Sequence, residues 1–172
     1  MSSTSGVLVE VIGRSGLGPF TWDREELGSI QEWVDGRNTE PPAPADIMRM
    51  GILDAVVGNL DRHRGNHLIT AAGHLVAIDH GLSFTRDPIG PNGVPSLRSW
   101  AMAEMTSGAL TNAEQEAVAL RLERINIPDL LGGSHLNQAE RKALIQRVKV
   151  VVEQLHAGTA HKIQLIMKAR GH

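Results

Sequence analysis

The stretch DIMRMGILDAVVGNLDRHRGNHLITAAGHLVAIDHG, residues 46–81, decides how this chain is read. Its first half is apolar and helix-like: Ile47, Met50, Leu53, Val56, Val57 and Leu60 recur at helical spacing, and Asp46 stands where a capping residue would. A helix from about 46 to 60, buried for most of its length, is expected. GNLDRHRGNHL, residues 58–68, then crowds five ionisable or guanidinium side chains and two asparagines behind that apolar run. Such a cluster is costly at the end of a buried helix unless it is solvated, paired or used for chemistry. After it, Leu68–Thr70 and Leu75–Ile78 are short apolar segments separated by Ala71-Ala-Gly-His74, close enough to pair as a hairpin. The hairpin carries Asp79-His80-Gly81 at its far end.

The rest of the chain is organised around this unit. Val7–Ile12 is β-branched and reads as a strand, which Gly13, Gly16, Gly18 and Pro19 should end. Ser29–Val34, between Gly28 and Asp35-Gly36, reads as a second extended segment, giving a small hairpin-like or hinge element. NTEPPAPAD, residues 38–46, is a proline-rich connector, and TRDPIGPNGVPS, residues 85–96, is a long turn-rich loop of the functional or mobile kind. Thr111 and Asn137 each precede a glutamate by three positions, which predicts capped helices over 112–125 and 137–156. Gly158 should stop the second, leaving a last short helix over 159–169.

Composition excludes several function classes. Seventeen basic against nineteen acidic residues give no general footprint for nucleic acid or an anionic membrane surface. With no cysteine there are no disulfides, no thiolate metal sites and no cysteine nucleophile, and the 3% aromatic content implies an aliphatic core. No signal peptide and no membrane span are evident, so a cytoplasmic setting is the simpler expectation.

The order of buried helix, Asp61-Arg62-His63-Arg64-Gly65-Asn66, hairpin and Asp79-His80-Gly81 resembles the catalytic core of protein-kinase-like phosphotransferases. Asn66 lies five residues after Asp61, and Asp79 eighteen after it. In such enzymes the loop aims a carboxylate at a substrate hydroxyl, while an Asn and a second Asp converge on the metal that bridges nucleotide phosphates. The version in which Arg and His follow the Asp resembles the atypical branch: phosphatidylinositol 3- and 4-kinases, HipA-type serine kinases, secretory-pathway kinases and related bacterial proteins. GSIQEWVDG, residues 28–36, resembles the segment upstream of the catalytic helix in the bacterial members. The resemblance covers roughly residues 28–84.

The resemblance implies Asp61 as catalytic base, Asn66 and Asp79 as metal ligands, and Mg2+ and ATP as cofactors, with an unknown hydroxyl-bearing acceptor. His63 belongs to the catalytic loop and is expected to support it through hydrogen bonds. Arg62 and Arg64 either meet phosphate or brace the loop; Arg62 is placed with the cofactor-binding group. His80 stands where common kinases have Phe, so the packing switch tied to that Phe is not implied here. Asp54 reads as a paired structural acid.

The expected architecture is α+β and predominantly helical: a single kinase-like large lobe over 1–172. It comprises a hinge-side β element and connector (1–45), the catalytic helix, loop and hairpin (46–84), and a helical scaffold (100–172). All four lysines (Lys142, Lys149, Lys162, Lys168) follow residue 141, so no lysine precedes Asp61 to clamp phosphates. VIGRSGLG, residues 11–18, reads as a turn between strands rather than a phosphate loop. The chain is therefore expected to need a small lobe from another segment or partner chain. Two alternatives remain: a pseudokinase-like binding or interaction module, and a metal-dependent hydrolase using His63, His67, Asp61, Asp79 and His80.

Overall fold

A computed structural model describes residues 7–15, 22–30, 34–38, 41–84, 99–132, 134 and 136–169. The chain divides into two compact units, Met1–Asp35 and Gly36–His172. The fold is α+β and predominantly helical.

In the first unit, strands β1 (Val7–Ser15) and β2 (Trp22–Ile30) pair antiparallel, from Val7 opposite Ile30 to Ser15 opposite Trp22. Two expectations change here. Gly13 does not end the first strand but pairs with Arg24 inside it, and the second strand starts at Trp22, overlapping the expected Ser29–Val34 segment only at its last two residues. Asp23, Arg24, Glu25 and Glu26 have weak strand preference, so their conformation comes from the partner strand rather than from local sequence. Residues 16–21 and 31–33 lie outside the described residues.

The second unit holds helix α1 (Pro44–Val57), which begins with Pro44 in its first turn, where a missing N–H costs nothing. Ala43 occupies the capping position without a side-chain bond; Asp46 lies within the first turn and pairs with Arg49 at 3.1 Å. The buried face follows the expected stripe only in part. Met50 is buried and Val56 and Leu60 pack against the core, but Met48, Ile52 and Ala55 are its innermost residues and Leu53 is 39% exposed. Both stripes are apolar at helical spacing, and packing against later helices selects between them.

Strands β4 (His67–Thr70) and β5 (Leu75–Ala77) form the expected hairpin, and β3 (Gly36–Arg37) adds to its other edge, in the order β3-β4-β5. The scaffold follows as α2 (Trp100–Ala103), α3 (Asn112–Glu123), α4 (Ile127–Leu130), α5 (Gln138–His156), a 3-10 turn (Ala160–Lys162) and α6 (Ile163–Ala169). The capping boxes Thr111/Glu114 and Asn137/Glu140 are both formed, so α3 and α5 start where the sequence places them. Gly158, at φ +68, ends α5 in a left-handed turn. The core is aliphatic and joins Met48, Ile52, Met102, Leu110, Val150, Val151, Leu155, Ile163 and Met167 from α1, α2, α5, α6 and the loop before α3. Among the described residues no helix is long and apolar enough to cross a membrane.

At the end of α5, His156 bridges two carboxylates of α3: Nδ1 lies 2.7 Å from Glu116 and Nε2 3.1 Å from Glu123. Only an imidazolium donates from both nitrogens, and these hydrogen bonds raise the His156 pKa above its ordinary value. A raised folded-state value means that the stabilisation is complete below the unfolded pKa and is lost as pH rises through the folded one. Wild type is therefore expected to melt above His156→Gln at about pH 5.5, with the difference closing by about pH 8.5. A difference independent of pH would contradict the bridge.

Candidate active site

The loop that carries Asp61 begins where α1 is forced to stop. Gly58 adopts φ +66, ψ +50, and its N–H returns to the Asp54 carbonyl. The guanidinium of Arg147, from α5, packs against Gly58, so closely that a Cβ there would sit 2.7 Å from Arg147 Cζ. Arg147 donates from Nε to the Val56 carbonyl at 3.1 Å and from a terminal nitrogen to that of Val57 at 3.3 Å. A cation from a distant helix thus satisfies the last carbonyls of α1, whose own last turn has no basic residue. Burial lowers the Arg147 pKa to about 10, which leaves it charged at neutral pH.

Arg62 is the hub of the loop. It is 1% exposed and points inward, with Nε donating to both carboxylate oxygens of Asp54 at 3.1 and 3.2 Å. One terminal nitrogen bonds the carbonyls of Asn66, at 2.7 Å, and Ile78; the other meets His80 Nδ1 at 3.1 Å. Of the two readings for Arg62, bracing is the one these contacts describe. Asp54 is fully buried and accepts a further hydrogen bond from Ser99 Oγ at 2.6 Å. Burial pushes its carboxyl above the ordinary range, while Ser99 and Arg62 pull it back. Asp54 is the paired structural acid expected. Ser99 in turn caps α2 through the Met102 N–H, and Trp100 N–H donates to the Arg62 carbonyl.

Around this hub the three metal and base candidates meet in one hydrogen-bonded frame. Asp61 is exposed, and its backbone N–H is held by Asn59 Oδ1 at 2.9 Å. Asn66 donates Nδ2 to the Asp61 carbonyl at 3.0 Å, which turns Oδ1 to the other side of the amide as a free-standing acceptor. The Asn66 carbonyl accepts from Ile78 N–H at 3.1 Å, so the residue before Asp79 is tied directly to the loop. Asp79 itself is exposed and sits at φ +56, a left-handed conformation uncommon for a non-glycine residue. Beyond it, Leu60 N–H bonds the Leu82 carbonyl and Phe84 N–H the Val57 carbonyl, fastening the segment back onto the end of α1.

The remaining polar residues divide between surface and core. His63 is exposed and its Nδ1 accepts the Gly65 N–H at 3.0 Å, a contact that shapes the turn. Arg64 pairs with Glu104 and lies over the Trp100 ring, 4.8 Å from its centroid. His67 is 2% exposed, packs against Trp100 with centroids 5.3 Å apart, and has neither ring nitrogen hydrogen-bonded. Burial, then the charges of Arg62 and Arg64, lower its pKa. His63 and His67 thus face different surroundings, and among the described residues no three His, Asp or Glu side chains gather as a metal site. Lys142, Lys149 and Lys162 are exposed on the late helices. The turn-rich loop over 85–96 lies outside the described residues.

Sequence reasoning missed Ser99 and Arg147. Ser99 follows a segment with no readable pattern, and Arg147 sits in an amphipathic run whose only signal is a cation among apolar neighbours. No curated protein and no solved structure matches the chain. Residues 45–98, which include Asp61, Arg62, His63, Asn66 and Asp79, match the family model of phosphatidylinositol 3- and 4-kinase, and this match supports a place for the segment in the kinase-like superfamily.

Proposed function

We propose that this protein carries the catalytic lobe of a phosphotransferase that moves the terminal phosphoryl group of ATP to a hydroxyl acceptor. The observation that carries the reading is the shared anchor: one buried guanidinium, Arg62, bonds the carbonyls of both Asn66 and Ile78, so the base loop and the hairpin end are held as one piece. The family match over 45–98 supports the same reaction class.

The donor set fits magnesium. Asp79 offers an exposed carboxylate and Asn66 an amide oxygen, hard oxygen ligands of the kind this ion takes beside phosphate oxygens. When bound, the ion supplies neutralisation of the charge on the phosphate oxygens. Asp61, exposed beside Asn66, takes the proton of the acceptor hydroxyl as its oxygen bonds to phosphorus. The bond to the bridging oxygen breaks and ADP leaves with the electron pair. Holding the Asp61 peptide between Asn59 and Asn66 orients the carboxylate before substrate arrives.

With no lysine before Asp61, the remaining phosphate charge is met by a small lobe from another segment or a partner chain. The pseudokinase-like reading, a binding module without transfer, rests on the same lack. A cytoplasmic setting, where ATP and magnesium are both supplied, fits either reading.

Magnesium and ATP together, at about 1 mM, are expected to raise the melting temperature by about 3–6 °C if the affinity is about 0.1 mM. Each alone should do less, and Asp79→Ala should remove the synergy. No shift at millimolar ligand would sink the reading. Where the shift appears, transfer of labelled terminal phosphate by wild type and not by Asp61→Ala separates an enzyme from a binding module.

A further inference from the structure

Arg62 spends four contacts on Asp54, Asn66 and Ile78, and a fifth on His80. Arginine has only donors, so His80 Nδ1 accepts and the ring proton resides on Nε2. Ile78 and His80 flank Asp79, which places one buried guanidinium on both sides of the proposed metal ligand. Asp79 needs that restraint: at φ +56 a side chain bearing a Cβ is strained, and such a conformation persists only where its surroundings over-determine it. Ile78 is fixed twice, through its carbonyl to Arg62 and its N–H to Asn66. On the other flank His80 Nδ1 is the contact to the hub, and the His80 carbonyl starts the next turn by accepting from Ser83 N–H at 3.1 Å.

We propose that His80 is a positioning residue: as a hydrogen-bond acceptor for Arg62 it holds Asp79 in the left-handed conformation from which its carboxylate meets the metal. This rests on the phosphotransferase reading of the site. It also gives the histidine a task that phenylalanine, its counterpart in common kinases, has no atom to perform. Without the acceptor, the peptide after Asp79 is released and Asp79 is free to leave its left-handed conformation.

Two substitutions separate acceptor from ring. His80→Phe keeps an aromatic ring and loses the acceptor; His80→Asn loses the ring and keeps an oxygen near the place of Nδ1. Binding of manganese(II) in the presence of ATP, followed by electron paramagnetic resonance, should weaken about tenfold or more in His80→Phe and stay close to wild type in His80→Asn. Amide exchange in the metal-free protein should follow the same order, with Ser83 and Phe84 losing protection in His80→Phe alone. Wild-type affinity in His80→Phe, or an equal loss in both variants, would overturn the proposal. If wild type itself takes up no manganese with ATP, the phosphotransferase reading falls. The exchange arm then decides the positioning by itself, and unchanged protection in His80→Phe overturns it.

Discussion

Asp54→Ala is expected to destabilise the protein by about 3–5 kcal/mol, the cost of leaving a buried guanidinium without its counter-charge. Arg62 is 1% exposed and cannot recover hydration by turning outward without abandoning the carbonyls of Asn66 and Ile78. Ser99 Oγ loses its acceptor in the same variant. For a chain of this length the loss corresponds to a fall in melting temperature of about 10 °C. Chemical denaturation should show the change in midpoint with the slope unaltered. The ion pair itself adds little net stability, because burial opposes the charge on Asp54 more strongly than Ser99 and Arg62 favour it. Asp54→Ala combined with Arg62→Met should therefore be more stable than Asp54→Ala alone, having no orphaned charge to bury. A loss below about 1 kcal/mol for the single variant would mean that water reaches the pair.

Arg147→Met should cost about 1–3 kcal/mol, the penalty of one unsatisfied buried acceptor. The Val56 carbonyl would lose its donor at the end of a buried helix, while that of Val57 keeps the Phe84 N–H. Relief from burying a charge offsets part of this, since the burial that lowers the Arg147 pKa to about 10 is itself unfavourable. Arg147→Lys should recover little, because an ammonium group has neither the Nε donor nor the planar fork that meets two carbonyls at once. The measurement is again equilibrium unfolding. A lysine variant as stable as wild type would show that charge at the helix end, rather than the directed hydrogen bonds, is what matters.

The sequence made legible those features that depend on neighbours along the chain. Thr111/Glu114 and Asn137/Glu140 locate two helix starts because a capping box is complete within four residues. The hairpin over 67–77 is readable because its strands and turn are contiguous. Asp54 is readable as a paired acid because a lone carboxylate on an apolar helix needs a partner. What stayed hidden depends on distant residues. The choice of Met48, Ile52 and Ala55 as the buried face of α1 is made by α2, α5 and α6, and the inward course of Arg62 by Asp54 and the hairpin carbonyls. Gly36–Arg37 sits among turn residues and becomes a strand only by pairing with Ile69 and Thr70. In the site, the spacing of Asp61, Asn66 and Asp79 suggested a common loop and hairpin end; the Arg62 hub that ties the two carried no local signal.

The closure of α1 by Arg147 also sets an order of events in synthesis. Val56 and the arginine that donates to its carbonyl lie ninety-one positions apart. At a translation rate of about 5–20 residues per second, α1, the loop and the hairpin are outside the ribosome for roughly 5–20 s before α5 is complete. Through that interval the Val56 carbonyl lacks its Arg147 donor and Gly58 lacks the guanidinium that packs against it. The end of α1 therefore gains its last hydrogen bonds only when α5 docks, whereas the contacts that hold the loop bearing Asp61 all come from residues made before it.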